Sequence, residues 1–420
     1  MLATPRANRL HIAILGRRNA GKSSLINALT NQDIALVSAK PGTTTDPVFK
    51  AMELLPLGPV VIIDTPGIDD YGELGSLRVQ RSQQVFNRAD LALLVIDAAR
   101  GLSDFELEIA RRCKELELPL VIAVNKVDLG PDEEELRQAV KQQLGVHPVL
   151  VSAKSRFGLS ELKQEIIRRA PPDWDDVSIV GDLIDPGDVV ALVTPIDSAA
   201  PKRRLILPQV QTIRDIIDHG GISFVVRESE LKACLAALQI RPKLVVTDSQ
   251  AFEMVNSVTP EDVPLTSFSI LYARYKGDLA ALTAGTKAIE TLRPGDIVLI
   301  AEGCTHHRRQ DDIGTVKIPR WLNQRAGGEL NFHFCSGGGF PDNLGEFKLV
   351  VHCGACMLNR RQMLWRIRLA EESGVPIVNY GVCIAYLQGI LQRALSPVSR
   401  NSLSGREGEE NGWVRFPEAF

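Results

Sequence analysis

The sequence predicts an α/β fold built as several domains in series, and three observations predict it. Short apolar runs at residues 11–15, 60–63, 120–124, 189–193, 297–300 and 347–351 alternate with stretches of helical periodicity, the order of strands and covering helices in layered α/β folds. The chain has 420 residues, more than one hydrophobic core usually holds. Clusters of proline and acid at 171–176 and 259–264 interrupt the alternation, and such clusters cannot continue a helix. The expected divisions are 8–170, 180–260, 265–396 and a loose polar tail over 397–420.

Hydrophobic residues make up 45% of the chain and charged residues 24%, the balance of a globular protein and not of a disordered or fibrous one. A formal net charge of -3 supplies no overall positive field, so bulk charge gives no reason to expect nucleic acid or an anionic membrane as partner. No apolar run of signal-peptide length opens the chain and none approaches a membrane span. The expectation is a cytoplasmic protein. Seven cysteines without a secretion signal read as thiols or metal ligands, not as a disulfide framework.

The first strand runs into Gly16-Arg17-Arg18-Asn19-Ala20-Gly21-Lys22-Ser23, with a helical pattern from Ser24 onward. Strand, glycine-rich loop and helix in this order form a phosphate loop, whose amides wrap phosphate oxygens while the helix N-terminus adds partial positive charge. Lys22 is expected to reach the β and γ phosphates and the Ser23 hydroxyl to ligate magnesium. The strand ending in Asp64-Thr65-Pro66-Gly67 suits the metal and γ-phosphate side: Asp64 would hold magnesium through its water shell and the Gly67 amide would sense the γ-phosphate. Between them, Pro41-Gly42-Thr43-Thr44-Thr45-Asp46 is a polar segment of the kind that closes over the metal, with Thr44 the chosen ligand. The strand at 120–124 leads into Asn125-Lys126-Val127-Asp128. A carboxylate at Asp128 accepts from both N1 and N2 of guanine, a donor pair adenine lacks, so GTP and GDP are expected. Ser152-Ala153-Lys154 follows the next strand and brings an amide to the guanine O6.

These elements resemble the GTPase branch that contains MnmE, Era and Der. That branch carries an asparagine where Asn19 stands, and the resemblance implies that it helps bind potassium. Ile68 occupies the place where Ras-like enzymes have a water-orienting glutamine, so slow intrinsic hydrolysis is expected, with potassium supplying charge that an arginine finger gives elsewhere. Thr45 departs from the arginine usual in the branch.

Beyond the GTPase part, the region 180–260 reads as a small α/β domain with a connecting or dimer-forming role, and its Cys234 as a buried core thiol. Cys383 and Cys113 are expected in the core as well. Two later strands end at cysteine motifs, Cys304-Thr305-His306-His307 and His352-Cys353-Gly354-Ala355-Cys356. Sites in open parallel sheets form beyond the carboxyl ends of strands, so the two motifs are expected to meet. A Cys-x-x-Cys pair by itself fits zinc, an iron–sulfur cluster or thiol redox chemistry.

The set Cys304-x-His306 with His352-Cys353-x-x-Cys356, behind a potassium-type GTPase and a small middle domain, resembles the HydF family of FeFe-hydrogenase maturation GTPases along nearly the whole chain. The resemblance implies a P-loop GTPase domain, a small α/β dimerisation domain and an α/β metal-cluster-binding domain. It also implies a 4Fe-4S cluster on Cys304, Cys353 and Cys356, with an exchangeable fourth position. The candidates there are His306, His352 and Asp311, each histidine being equally suited to hydrogen-bonding the cluster sulfur; Cys335 ranks behind them. A scaffold that accepts and releases a di-iron precursor needs such an open corner. Implied partners are the other hydrogenase maturases, apo FeFe-hydrogenase and a second copy of the chain, with no nucleic acid and no membrane. Arg360, Arg361, Arg366 and Arg368 are read as a solvated helix face; the alternative is that they line the cluster mouth and attract an anionic, cyanide-bearing precursor. The competing readings are an RNA-directed GTPase of tRNA modification or ribosome assembly with a structural zinc, and a thiol redox domain.

Overall fold

A strand buried on both faces reads as a continuous apolar run, and this is how the nucleotide-type sheet is built. The computed structural model describes residues 4–30, 48–55, 57–64, 85–129, 133–171, 177–195, 205–304 and 312–399. Its first sheet contains β1 (Leu10–Leu15), β2 (Val48–Leu54), β3 (Gly58–Asp64), β4 (Leu91–Asp97), β5 (Leu120–Asn125) and β6 (Val149–Val151) in the order β2-β3-β1-β4-β5-β6. Only β2 runs antiparallel to its neighbour. β1, β4 and β5 are buried at every position. The chain leaves β1 toward β2 and β3 on one side and returns to β4 on the other, so the loop after β1 stands where the winding reverses, the position at which such sheets bind ligands.

The second and third sheets each have four parallel strands. β7 (Val189–Val193), β8 (Ile222–Val226), β9 (Leu244–Thr247) and β10 (Leu265–Ser267) pair in the order β10-β9-β7-β8. β11 (Ile297–Glu302), β12 (Asn331–Ser336), β13 (Leu349–His352) and β14 (Ile377–Asn379) pair in the order β12-β11-β13-β14. One apolar cluster runs through both sheets, taking in Val246, Leu265, Leu271, Val298, Val351 and Val378.

The chain divides into two compact units, Met1–Val177 with Asn359–Trp365, and Ser178–Leu358 with Arg366–Phe420. Three expectations change here. The segment 259–264 is not a linker: it leads straight into β10, which completes the sheet begun by β7, and the continuous core explains why no division falls there. The last helix, Leu391–Ser399, runs through Pro397 and past the expected boundary at 396. Pro397 is held inside an amphipathic segment whose Ala394 and Val398 are buried. Cys234 is half-buried and not core, because its helix Leu231–Ala237 buries only Leu231. Among the described residues no helix is long and apolar enough to cross a membrane.

Candidate nucleotide pocket and thiol site

The loop between β1 and the helix Lys22–Thr30 holds its shape through residues that tolerate unusual backbone. Gly16 has φ +140°, and a Cβ there would lie 2.3 Å from the Val95 carbonyl oxygen; Gly21 has φ +89°, and its Cβ would lie 2.3 Å from Asn125 Nδ2. Only glycine fits both constraints. Asn19 adopts φ +66°, the left-handed region that asparagine enters more readily than most residues. Its side chain is exposed at the lip of the loop. Lys22 Nζ lies within the loop, donating to the carbonyls of Gly16 and Arg17. Ser23 and Ser24 are exposed at the N-terminus of the helix.

The base-reading strand is tied to this loop by side chains. Asn125 is 1% exposed; its Nδ2 donates to the Ala20 carbonyl at 2.9 Å and its Oδ1 accepts from the Ala153 amide at 3.1 Å. One residue thus joins the phosphate loop, β5 and the turn after β6. Lys126 Nζ donates to the Asn19 carbonyl at 2.6 Å and to Asp97 Oδ2 at 2.8 Å. Burial works to raise the Asp97 carboxyl, but Lys126, the Ala99 amide and Arg100 outweigh it and hold it below its usual value. Asp128 stands exposed in the single turn Val127–Leu129, free to meet a base edge. Ser152 is buried and its hydroxyl accepts from the Ser155 amide at 3.1 Å, which shapes the turn that contains Ala153 and Lys154. Asp64 closes β3, one strand from β1. Thr44 and Gly67 lie outside the described residues.

At the far end of the chain, β11 and β13 are neighbours with Ala301 opposite His352, so Cys304 and Cys353 leave adjacent strand ends. The winding of this sheet also reverses between these two strands, which is the crevice position again. The Cys353 amide donates to the Ala301 carbonyl at 2.9 Å. Its sulfur accepts from the Gly303 amide at 3.0 Å and from the Ala355 amide at 3.4 Å. Ala355 is held at φ +55° in the Cys-x-x-Cys turn, strain of the kind that gathers at functional sites. Burial pushes the Cys356 thiol up to about 12, and the neighbouring Cys353 and Cys304 push in the same direction. Cys304 and Cys353 are thus near enough for their charge to be felt at Cys356. Cys335, at the end of β12 beside Ala301, is pushed up to about 11 by burial and feels both Arg366 and Cys353.

His352 is fully buried. Its Nδ1 lies 2.8 Å from the Cys353 carbonyl oxygen and its Nε2 lies 2.8 Å from Arg366 Nη1. Burial, with the Arg366 charge added, lowers its pKa to about 3, so the ring is neutral. Arg366 is 1% exposed, a correction to the solvated helix face. The helix Arg360–Glu372 turns Met363, Ile367 and Ala370 inward as well, and position 366 lies on that buried stripe. The periodicity was the signal for it. His306 and Asp311 lie outside the described residues. Among the described residues no group of three or more His, Cys, Asp or Glu side chains converges as a ready metal site. The donor chemistry still suits a soft metal: thiols with amide donors already aimed at one sulfur. Cys113 and Cys383 are buried core thiols, each raised to about 12, chiefly by burial.

Two residues of the nucleotide region are linked to the phosphate loop and the base-side turn only in three dimensions. Asp97 ends β4 and pairs with Lys126. Glu106, 0% exposed, accepts from Arg17 of the phosphate loop at 2.7 Å and from the Ser103 amide and hydroxyl at 2.9 and 2.6 Å.

Comparison with known proteins gives three family matches. Residues 11–126 match the model described as 50S ribosome-binding GTPase, residues 179–277 the hydrogen maturase F dimerization domain and residues 280–397 the hydrogen maturase F tetramerization domain. Among curated relatives, GTPase Der of Xanthomonas campestris (strain B100) is 34% identical over 176 residues, covering 41% of this chain and 36% of the relative. The tRNA modification GTPase MnmE of Aquifex aeolicus is 38% identical over 166 residues, covering 39% of this chain and 35% of the relative. The chain thus spans about a third of the length of these relatives. A solved structure of Era, with MgGDPNP and a segment of 16S ribosomal RNA, is 24% identical with a TM-score of 0.34, covering 56% of this chain and 90% of its own.

Proposed function

Because the chain belongs to the hydrogen maturase F family, we propose that it hydrolyses GTP and serves as scaffold or carrier in assembling the di-iron subcluster of FeFe-hydrogenase. What supports the reading is that Cys304 and Cys353 follow adjacent strand ends, with Cys356 in the turn after β13, in a chain that opens with a GTPase fold. In this reading the three thiolates hold a 4Fe-4S cluster whose fourth position is weakly ligated and exchangeable, and that open corner receives the di-iron precursor. Binding iron would displace the thiol protons that burial otherwise retains.

GTP and magnesium occupy the first unit, with Lys22 and Ser23 on phosphate and metal, Asp64, Thr44 and Gly67 on the γ side, and Asp128 reading the base. Asn19, exposed at the lip of the loop, is the proposed potassium ligand. Hydrolysis is expected to run faster in potassium than in sodium chloride; equal initial rates of phosphate release in the two salts would remove potassium from the scheme. Nucleotide state gates association with partner maturases and apo-hydrogenase. The edge strand β8, with Ile222 and Val225 exposed at 56% and 42%, suits self-association of the middle region.

The deciding experiment is anaerobic purification followed by iron, sulfide and zinc analysis of the parent and of Cys304→Ser, Cys353→Ser and Cys356→Ser. Iron with sulfide in the parent, lost in each variant, is the expected result. Stoichiometric zinc without sulfide would replace the scaffold reading by a structural metal site.

A further inference from the structure

We propose that Arg366 and His352 form a buried pair that positions the Cys353 end of the thiol site, with His352 acting through the backbone and not as a metal ligand. The proposal rests on the iron–sulfur reading above. An arginine side chain has donors and no acceptor, so the 2.8 Å contact from Arg366 Nη1 makes His352 Nε2 the acceptor. The ring proton is then on Nδ1, which donates to the Cys353 carbonyl at 2.8 Å. Both ring nitrogens are thereby engaged inside the protein. Arg366 also donates through Nη2 to the Gly337 carbonyl in the turn after β12. Phe340 closes the group, its ring centroid 4.7 Å from the guanidinium carbon and 6.2 Å from the His352 ring.

The same chain supplies an internal comparison that lacks the pair. Read from β8 toward β10, the second sheet has the strand order of the third sheet read from β12 toward β14: second strand, first, third, fourth. Equivalent hydrogen bonds recur. The Lys243 amide donates to Val189 at 2.8 Å as that of Lys348 does to Ile297 at 2.7 Å. Val245 donates to Pro264 and Val350 to Pro376, each at 2.9 Å. Asp248 donates to Val193 at 3.3 Å as Cys353 does to Ala301 at 2.9 Å. By this correspondence Thr247 stands for His352, Asp248 for Cys353 and Ala251 for Cys356. Thr247 is fully buried at its strand end and its hydroxyl donates to the Asp248 carbonyl at 3.3 Å, so the fold makes this carbonyl contact at both junctions, with a small side chain at one and a histidine at the other. Among the described residues, what sets the cysteine-bearing junction apart is the longer, shorter-bonded histidine arm with Arg366 behind it.

Its physical effect is twofold. With its carbonyl held by His352 and its sulfur by the Gly303 and Ala355 amides, Cys353 is oriented before any metal arrives. The guanidinium adds a fixed positive charge in a water-poor site, which favours the more negative, reduced state of a thiolate-bound cluster.

The test uses the full chain, reconstituted anaerobically, with His352→Asn, Arg366→Lys and Arg366→Met. Iron and sulfide content, the midpoint potential and the nitrogen hyperfine coupling from 15N-histidine are measured. His352→Asn, whose amide can still donate to the Cys353 carbonyl, is expected to retain iron and sulfide and to leave the hyperfine spectrum unchanged. Arg366→Met is expected to shift the potential downward, and Arg366→Lys to shift it less. Disappearance of a histidine coupling in His352→Asn overturns the proposal, as does an iron-loaded Arg366→Met with the parent's potential. If Arg366→Met does not fold, His352→Asn decides alone. A parent without iron and sulfide overturns the iron–sulfur reading itself, an outcome distinct from either failure of the pair.

Discussion

At the scale of single residues, the nucleotide pocket depends on side chains that brace backbone. Asn125 illustrates the point: its motif position suggests a role near the base, and in the structure its amide spans from Ala20 to Ala153. Loss of both buried hydrogen bonds in Asn125→Ala, at about 1 kcal/mol or somewhat more each, is expected to weaken GDP binding roughly 10- to 100-fold, as read by fluorescent-nucleotide titration. Unchanged affinity would mean that the loop holds its shape without this tie. The motif residues themselves were legible because their chemistry is local: a loop that must wrap phosphate needs glycines at fixed offsets. Arg366 was not legible as a buried residue from its charge. Arginine is almost never fully buried unless paired, and the partner, His352, is distant in sequence.

Elements show where local signals suffice and where pairing takes over. The helix Asp104–Glu115 begins with a capping box between Ser103 and Glu106, a pattern readable in sequence. That the same Glu106 also receives Arg17 from the phosphate loop is a tertiary fact. Glu106→Gln keeps the size of the side chain and removes its charge, leaving a largely buried arginine without a counter-ion, and is expected to destabilise the first unit by roughly 3 kcal/mol. Urea unfolding followed by circular dichroism measures this; a midpoint unchanged from the parent would assign Arg17 no structural partner of consequence. β10 is the opposite case. Its three residues follow a proline-rich loop that resembles a linker, and only pairing with β9 reveals them as the edge of a sheet.

For the whole molecule, two compact units with separate apolar clusters predict two transitions in scanning calorimetry. GDP at about 100 times its dissociation constant should stabilise the first unit by about 2.7 kcal/mol and leave the other transition in place; one transition that moves as a whole would show the units to unfold together. The sequence by itself determined the α/β class and the GTPase domain with its phosphate loop. These follow from residues contiguous in the chain, where spacing alone sets geometry. The tertiary structure decided that Cys304 and Cys353 leave neighbouring strands, that Arg366 turns inward onto His352, and that β10 joins the sheet begun by β7. Strand order is a long-range choice, made by which apolar faces bury against each other, and no local window of sequence contains it.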